Sequence, residues 1–469
     1  MERPNAWKKY TEEEKRAVFD FGESYRQFLS QCKTERECVT ELCKRARDAG
    51  FINMDDVIRN DVKLKPGDRV FSNNKGKSLA LYVIGTEPLE NGMNILGAHI
   101  DSPRLDLKQN PLYEDTEMAL LDTHYYGGIK KYQWVTLPLA IHGVVARKDG
   151  SLVELNIGDN AGDPVFGVSD LLIHLSRERM QKKACEVVEG EDLDLLIGSM
   201  PGKAKEGESD AATKEPKDAV KENVLSIIRT QYGFEEEDFL SAELEIVPAG
   251  EARDYGLDRS MIMGYGHDDR SCAYPSFAAT LEMRVPRRTS VCLLVDKEEV
   301  GSQGATGMHS RFFENMTAEV MNACGGYSEL KLRRALTNSK VLSSDVSAAF
   351  DSNYPSVTER KNAAYLGRGI VFNKYTGSAG KSNSNDASAE YFAEIRKIMD
   401  ESNISFQTAE LGRVDAGGGG TIAYILANYN MLVVDAGVAV LNMHAPWEII
   451  SKADLYEAKK AYVAFLKHA

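Results

Sequence analysis

Two glutamates stand side by side in "VDKEEVGSQG", Val295 to Gly304, straight after the apolar run "SVCLLV". The run reads as a buried strand, and Glu298 and Glu299 read either as solvated loop carboxylates or as two parts of one active site. In α/β sheets, functional side chains gather in the loops beyond the carboxyl ends of strands. Five strand-like runs here end in groups able to bind a metal. "NILGAHIDSP" brings His99 and Asp101, "GYGHDDRSC" brings Asp268 and Asp269, and "LLVDKEEVGS" brings Glu298 and Glu299. "VLSSDVSAAF" brings Asp345, and "VLNMHAPWE" brings His444. One such residue is ordinarily a cap or a satisfied loop group; the set is what points to a site.

Imidazole and carboxylate without thiolate suit a catalytic zinc, cobalt or manganese centre better than a closed structural one. A pair of divalent ions needs a bridging carboxylate between them, and each ion needs one histidine and one further carboxylate to complete its shell. His99, Asp268, Glu299, Asp345 and His444 supply that count. Asp101, two residues after His99, is placed to orient the imidazole and raise its basicity. "DAGGGGTIAYILA" leaves another chemistry open, since glycines before a helix can cradle phosphate. It lacks the Lys-Ser/Thr of a P-loop and the spacing of a dinucleotide fingerprint. A close backbone approach near the site, with substrate contact at Gly418, is the favoured reading. The alternatives are a nucleotide-binding α/β protein using this loop and a non-catalytic oligomeric scaffold.

The elements that would position these residues follow from texture. Thr11 to Gly50 reads as two helices, the second with Val39, Leu42, Cys43 and Ala46 at helical spacing. From Ser78, short β-type runs end in glycine and polar residues. Residues 104–250 show short strands with "KDG" as a hairpin turn and no strand–helix alternation, so they form a separate β-rich unit. Within it, the polar stretch near 200–222 is expected to be a mobile loop. From Met261 on, strands alternate with helices, which argues a mostly parallel sheet sandwiched by helices. The expected organisation is an α/β domain in two parts, 1–103 and 251–469, with 104–250 inserted.

The chain has 469 residues, 43% apolar, and a formal net charge of −14 with no long basic tract. Nucleic acid and anionic membranes are therefore not expected partners. The first residues carry no apolar signal core, and no apolar run approaches the ~20 residues that span a bilayer. Seven scattered cysteines without a CxxC pair suit a reducing cytoplasm.

Six segments together resemble the bacterial branch of the aspartyl aminopeptidase family of co-catalytic zinc exopeptidases. They are "GAHIDSPRLDLK", "DDRSCA", "DKEEVGSQGATG", "SSDVSAAFDSNYP", "GGGGTIAYILA" and "NMHAPWEI", in the family's order, with the likeness running from about Phe51 to the end. The resemblance implies a zinc-exopeptidase-like domain with two divalent ions, zinc, cobalt or manganese. His99 and Asp345 would hold one, Glu299 and His444 the other, with Asp268 bridging and joined to Asp269 through a cis peptide. It implies release of the N-terminal amino acid from peptides with a free N-terminus, through metal-activated water, with Glu298 as general base and Asp101 as the acid beside the first ligand. It also implies that the inserted unit dimerises and that dimers assemble into a dodecamer, with His174 reaching a neighbouring subunit's site. Acidic-substrate members place a lysine where Asn373 stands, with Lys374 one position on, so the preferred first residue stays open between acidic, neutral and basic.

Overall fold

The computed structural model describes residues 3–202 and 218–469. Most of the expected mobile loop, 203–217, lies outside the described residues. The fold is α/β with mixed sheets, in two compact units: Met1–Ser102, Ala252–Met443 and Trp447–Ala469 form one, and Pro103–Glu251 with His444–Pro446 the other.

The first unit opens with helices Glu12–Gln31 and Glu35–Asp48. Each starts at a threonine whose side chain accepts the backbone N–H three residues on, while a glutamate there, Glu14 or Glu37, reaches back to the cap. A nine-stranded sheet follows. Its spatial order is Ile52–Asn53, Arg69–Asn74, Ser78–Val83, Ser290–Val295, Asn94–His99, Lys340–Ser343, Leu432–Gly437, Ile370–Asn373, Phe406–Thr408. The sheet is parallel at its centre. It is antiparallel where Arg69–Asn74 and Ser78–Val83 form a hairpin, and where Ile370–Asn373 meets Leu432–Gly437. Strand–helix alternation does not extend to the hairpin, because a three-residue turn leaves no room for a crossover helix.

The central strands are buried along their whole length, as strands covered on both faces must be. Alternate side chains feed two cores. Cys292 and Leu294 join Phe28, Leu42, Tyr462 and Phe465 on one side. Val291, Leu293 and Val295 join Phe313, Val341 and Leu426 on the other. Each such side chain contributes about 1.5–3 kcal/mol on burial, so the strand ends are set on a stiff platform. A small five-stranded sheet, order Arg253–Tyr255, Met261–Gly264, Glu448–Ser451, Ala439–Leu441, Ser347–Ala348, completes this unit.

The second unit is a six-stranded antiparallel sheet, order Leu152–Ile157, Leu139–Ala146, Ala242–Pro248, Arg104–Asp115, Met118–Tyr126, Leu195–Gly198. The "KDG" turn joins its first two strands. Its one described α-helix is Ala219–Ile227.

Candidate active site

Three adjacent parallel strands bring the chemistry together. Register pairs Val295 with His99 and Ser343 with Gly97. Their carboxyl ends therefore lie level, and the loops carrying Asp101, Glu298 and Asp345 leave from one edge. His99 ends its strand with its ring buried. Nδ1 lies 3.0 Å from the Asp101 carbonyl oxygen and 3.3 Å from Asp101 Oδ1. Nδ1 thus faces Asp101, and Nε2 faces the carboxylate cluster. Nε2 is 3.1 Å from Asp268 Oδ1 and 4.0 Å from Glu298 Oε2.

The paired glutamates form a short 3-10 turn, Glu298–Val300, entered through Lys297 at φ 69° and left through Gly301 at φ 91°. The strand therefore breaks before the pair, at a lysine in the left-handed region, and not only at the following glycines. Asp101 fixes the turn: its Oδ1 accepts the Glu298 N–H at 3.1 Å and its Oδ2 accepts the Glu299 N–H at 3.2 Å. One buried carboxylate thus orients the imidazole and both glutamates.

Asp268 enters from the start of the helical segment His267–Glu282, and its bond to Asp269 is cis. Its N–H donates to Glu448 Oε2 at 3.0 Å, and its carbonyl accepts from Ser102 Oγ at 2.8 Å. Asp269 Oδ2 accepts the His99 N–H at 3.3 Å. The preceding His267 is neutral, its pKa pushed down to about 3 by burial, and its Nδ1 pairs with the Tyr25 hydroxyl at 2.8 Å. Asp345 lies just beyond Lys340–Ser343, where the neighbouring strand passes so closely that a Cβ on Gly437 would sit 1.9 Å from the Asp345 carbonyl oxygen. Glu448, Tyr25 and Gly437 were not read as site-supporting from sequence. Only Glu448 carries a signal, as a carboxylate opening a fully buried strand four residues after a motif histidine.

The electrostatics suit a cation. Burial pushes the Asp345 carboxyl well above the usual carboxylate range, and Asp269 pushes it further. Burial does the same to Asp269, against the pull of His99. Burial opposes charge on His99, but its hydrogen bonds to Asp101 and Asp268 outweigh it and hold the imidazole pKa well above its ordinary value. The negative groups outnumber the one imidazole, and buried charge is stable only when compensated. The donor set suits a divalent metal. Ligand atoms of His99, Asp268 and Asp345 lie within 4.8 Å of one another, as do those of His99, Glu298 and Glu299. Atoms sharing one tetrahedral zinc lie roughly 3.4 Å apart, close to the 3.1 Å between His99 Nε2 and Asp268 Oδ1.

The remaining sequence-predicted residues stand as follows. His444, in the loop between Ala439–Leu441 and Glu448–Ser451, has φ 64° and sets Nδ1 2.9 Å from the Gly128 carbonyl oxygen, which directs the ring's lone pair to Nε2. His174 lies in a 3-10 turn of the second unit and is exposed. Lys374 Nζ is 3.6 Å from Asp386 Oδ1. Gly418, at φ 138°, passes so close to the Gly377 loop that a Cβ would meet the Gly377 carbonyl oxygen at 1.9 Å. The glycine run is thus packed on its own chain, and the helix after it, Ala423–Ala427, has five residues.

Comparison with known proteins identifies the family. The profile of the aminopeptidase I zinc metalloprotease family, M18, matches residues 28–466. A probable M18 family aminopeptidase 1 of Clostridium acetobutylicum is 62% identical over 467 residues, covering 100% of this chain and 98% of that one. The crystal structure of aminopeptidase I from the same organism matches with a TM-score of 0.91 at 61% identity, covering 99% of each chain. An M18 aminopeptidase structure from Thermotoga maritima matches with a TM-score of 0.93 at 43% identity, over 100% of each chain. The chain belongs to the M18 family of aminopeptidase I zinc metalloproteases, and its chemistry is that of an aminopeptidase.

Proposed function

We propose that the chain releases the first residue of peptides at a two-metal centre in a zinc-exopeptidase-like domain. His99 and Asp345 hold one ion, Glu299 and His444 the other, and Asp268 lies between them. The clustering of His99, Asp268 and Asp345 supports the first set. For the second, the loop bearing His444 ends four residues later at Glu448, whose carboxylate accepts the Asp268 N–H. When bound, such ions polarise the scissile carbonyl and lower the pKa of water. Glu298 takes the proton of the attacking water and passes it to the leaving amine. Asp101 is a positioning residue that also matches the acid beside the first ligand. The observation that carries the reading is its carboxylate, bonded to the Glu298 and Glu299 N–H groups and 3.3 Å from His99 Nδ1.

Substrate contact in this reading falls to Lys374 and Gly418 of the same chain and to the partner subunit's His174. The pairing of Lys374 with Asp386 supports a charge-balanced pocket rather than one built for an acidic residue. The second unit, 104–250, is assigned to dimerisation, and the dimers to a dodecamer. Exposed Leu172, Ile173, Leu175 and Met180 around His174 support a face that a copy covers. Among the described residues no helix is long and apolar enough to cross a membrane. Seven free thiols, four of the cysteines at under 3% exposure, support a cytoplasmic setting.

A panel of aminoacyl chromogenic substrates, run with zinc, cobalt or manganese, tests activity, metal and first-residue preference together. Turnover of free but not N-terminally blocked peptides, with two metal equivalents bound, is expected. Cleavage inside a blocked chain, or full activity with one equivalent, overturns the reading.

A further inference from the structure

A second charged region lies in the first unit, beside Phe406–Thr408, the last strand of the nine-stranded sheet. A cavity of about 680 Å³ opens there, and Arg3, Arg360, Lys361, Arg368 and Arg396 line it, with no carboxylate among the lining residues. Among the described residues none of the five is in an ion pair, although the chain carries a net charge of −14. The flanking acid Glu359 caps the 3-10 turn Arg360–Asn362, accepting from the Lys361 N–H at 3.0 Å and Asn362 Nδ2 at 2.6 Å, and Asp454 beside Arg368 accepts the Gly367 and Gly369 N–H groups.

Three of the four guanidiniums are held against aromatic rings. Arg3 Cζ stacks 4.1 Å from the Phe406 ring centre, Arg368 Cζ 4.3 Å from Tyr365, and Arg360 Cζ 4.7 Å from Phe350. Stacking occupies the planar faces and leaves the N–H edges as donors, the edges that meet phosphate oxygens in pairs. The loop is tied to the sheet edge as well: Tyr365 N–H donates to Gln407 Oε1 at 2.9 Å, and Gln407 Nε2 donates to the Tyr365 carbonyl at 2.8 Å. A cleft lined by one sign of charge focuses its field and concentrates counter-ions. The volume lies within the ~300–1,000 Å³ of small-ligand cavities.

We propose that this cavity is a second ligand site, distinct from the metal cluster, for a small polyanion carrying two or more phosphate groups. Aromatic faces already occupied by arginines disfavour a stacked base, so recognition rests on the phosphates.

The test is calorimetric titration of the metal-loaded full chain with inorganic tripolyphosphate, given as its magnesium complex so that the bound ions stay in place. Saturable binding is expected. The Arg360→Ala/Arg368→Ala/Arg396→Ala variant is expected to bind at least about tenfold more weakly, since charge-assisted pairs are lost, with turnover of a neutral aminoacyl substrate unchanged. Glu298→Gln is expected to bind tripolyphosphate as the parent does, which separates this site from the catalytic one. Should the triple variant fold poorly, Arg396→Glu alone, on an exposed helix face, is expected to weaken binding in the same direction. No binding by the parent, or equal binding by a folded variant, overturns the proposal. So does binding of a hexaglutamate peptide in place of tripolyphosphate, or a change of oligomeric state in the variant without any tripolyphosphate binding.

Discussion

The nine-stranded sheet carries charge in two places and handles it in opposite ways. At its centre, carboxylates crowd around His99 at the ends of three buried strands. At its edge, arginines gather beside Phe406–Thr408 with their faces on aromatic rings. The central group is largely buried, so charge on it is best compensated by something resident, and a divalent ion suits the donors. The edge group is open to water, which screens repulsion among its cations and lets a soluble anion come and go. Like-charged clusters therefore signal different chemistry according to depth.

The largest effect that could break this contrast is at Glu298. Glu298→Gln is expected to lower kcat by roughly 10²–10⁴-fold, the usual share of a general base. Metal content by elemental analysis should stay at the parent level. A loss of less than tenfold would move the base elsewhere.

Asp101→Asn comes next. The amide keeps one acceptor for the Glu298 and Glu299 N–H groups and loses the charge facing His99. Metal affinity or kcat is expected to fall about 10–100-fold, the range for groups that orient ligands. Competition with a chelator measures the first and steady-state turnover the second. No change in either would reduce Asp101 to a loop-holding role.

Metal removal probes the buried cluster by pH. Asp345 and Asp269, raised by burial, and His99, raised by Asp101 and Asp268 against burial, all have folded pKa values above their unfolded ones. Such groups stabilise the fold below the unfolded pKa, and that stability is lost as pH rises through the folded value. The stripped protein should therefore lose Tm as pH rises above the ordinary carboxylate and imidazole range, while the loaded protein loses less, since metal binding holds its ligands deprotonated. Asp454, pushed up to about 8 by burial, contributes equally to both forms, so the difference between the two curves reports the cluster. Parallel curves would show that these carboxylates do not hold the metal.

The smallest effect belongs to the edge. Raising salt from about 0.05 to about 0.2 M should weaken tripolyphosphate binding several-fold through screening. Turnover of a neutral substrate should change by less than about twofold, because the buried pairs of the centre are screened far less. Equal sensitivity of both would mean that the two regions are not separate.

The sequence by itself determined which residues are available and where most elements run. Apolar runs ending near His99, Glu298 and Glu299, Asp345 and the Asp268 turn mark strand ends that carry polar groups able to act in a site, because a strand buried on both faces can show polar groups only where it stops. The mixed character of the sheet was not legible, since strand direction depends on whether a connection is a three-residue turn or a helix. Nor was the break at Lys297, because positive φ at a non-glycine residue is imposed by surroundings. Tertiary structure alone decided that Asp101 holds both glutamates, that Glu448 caps Asp268, and that Arg3, Arg360, Arg368 and Arg396 share one cavity. These are contacts between residues tens to hundreds of positions apart. Spacing along a chain reports on neighbours within a turn or a strand, whereas proximity across a sheet is fixed by strand order and register.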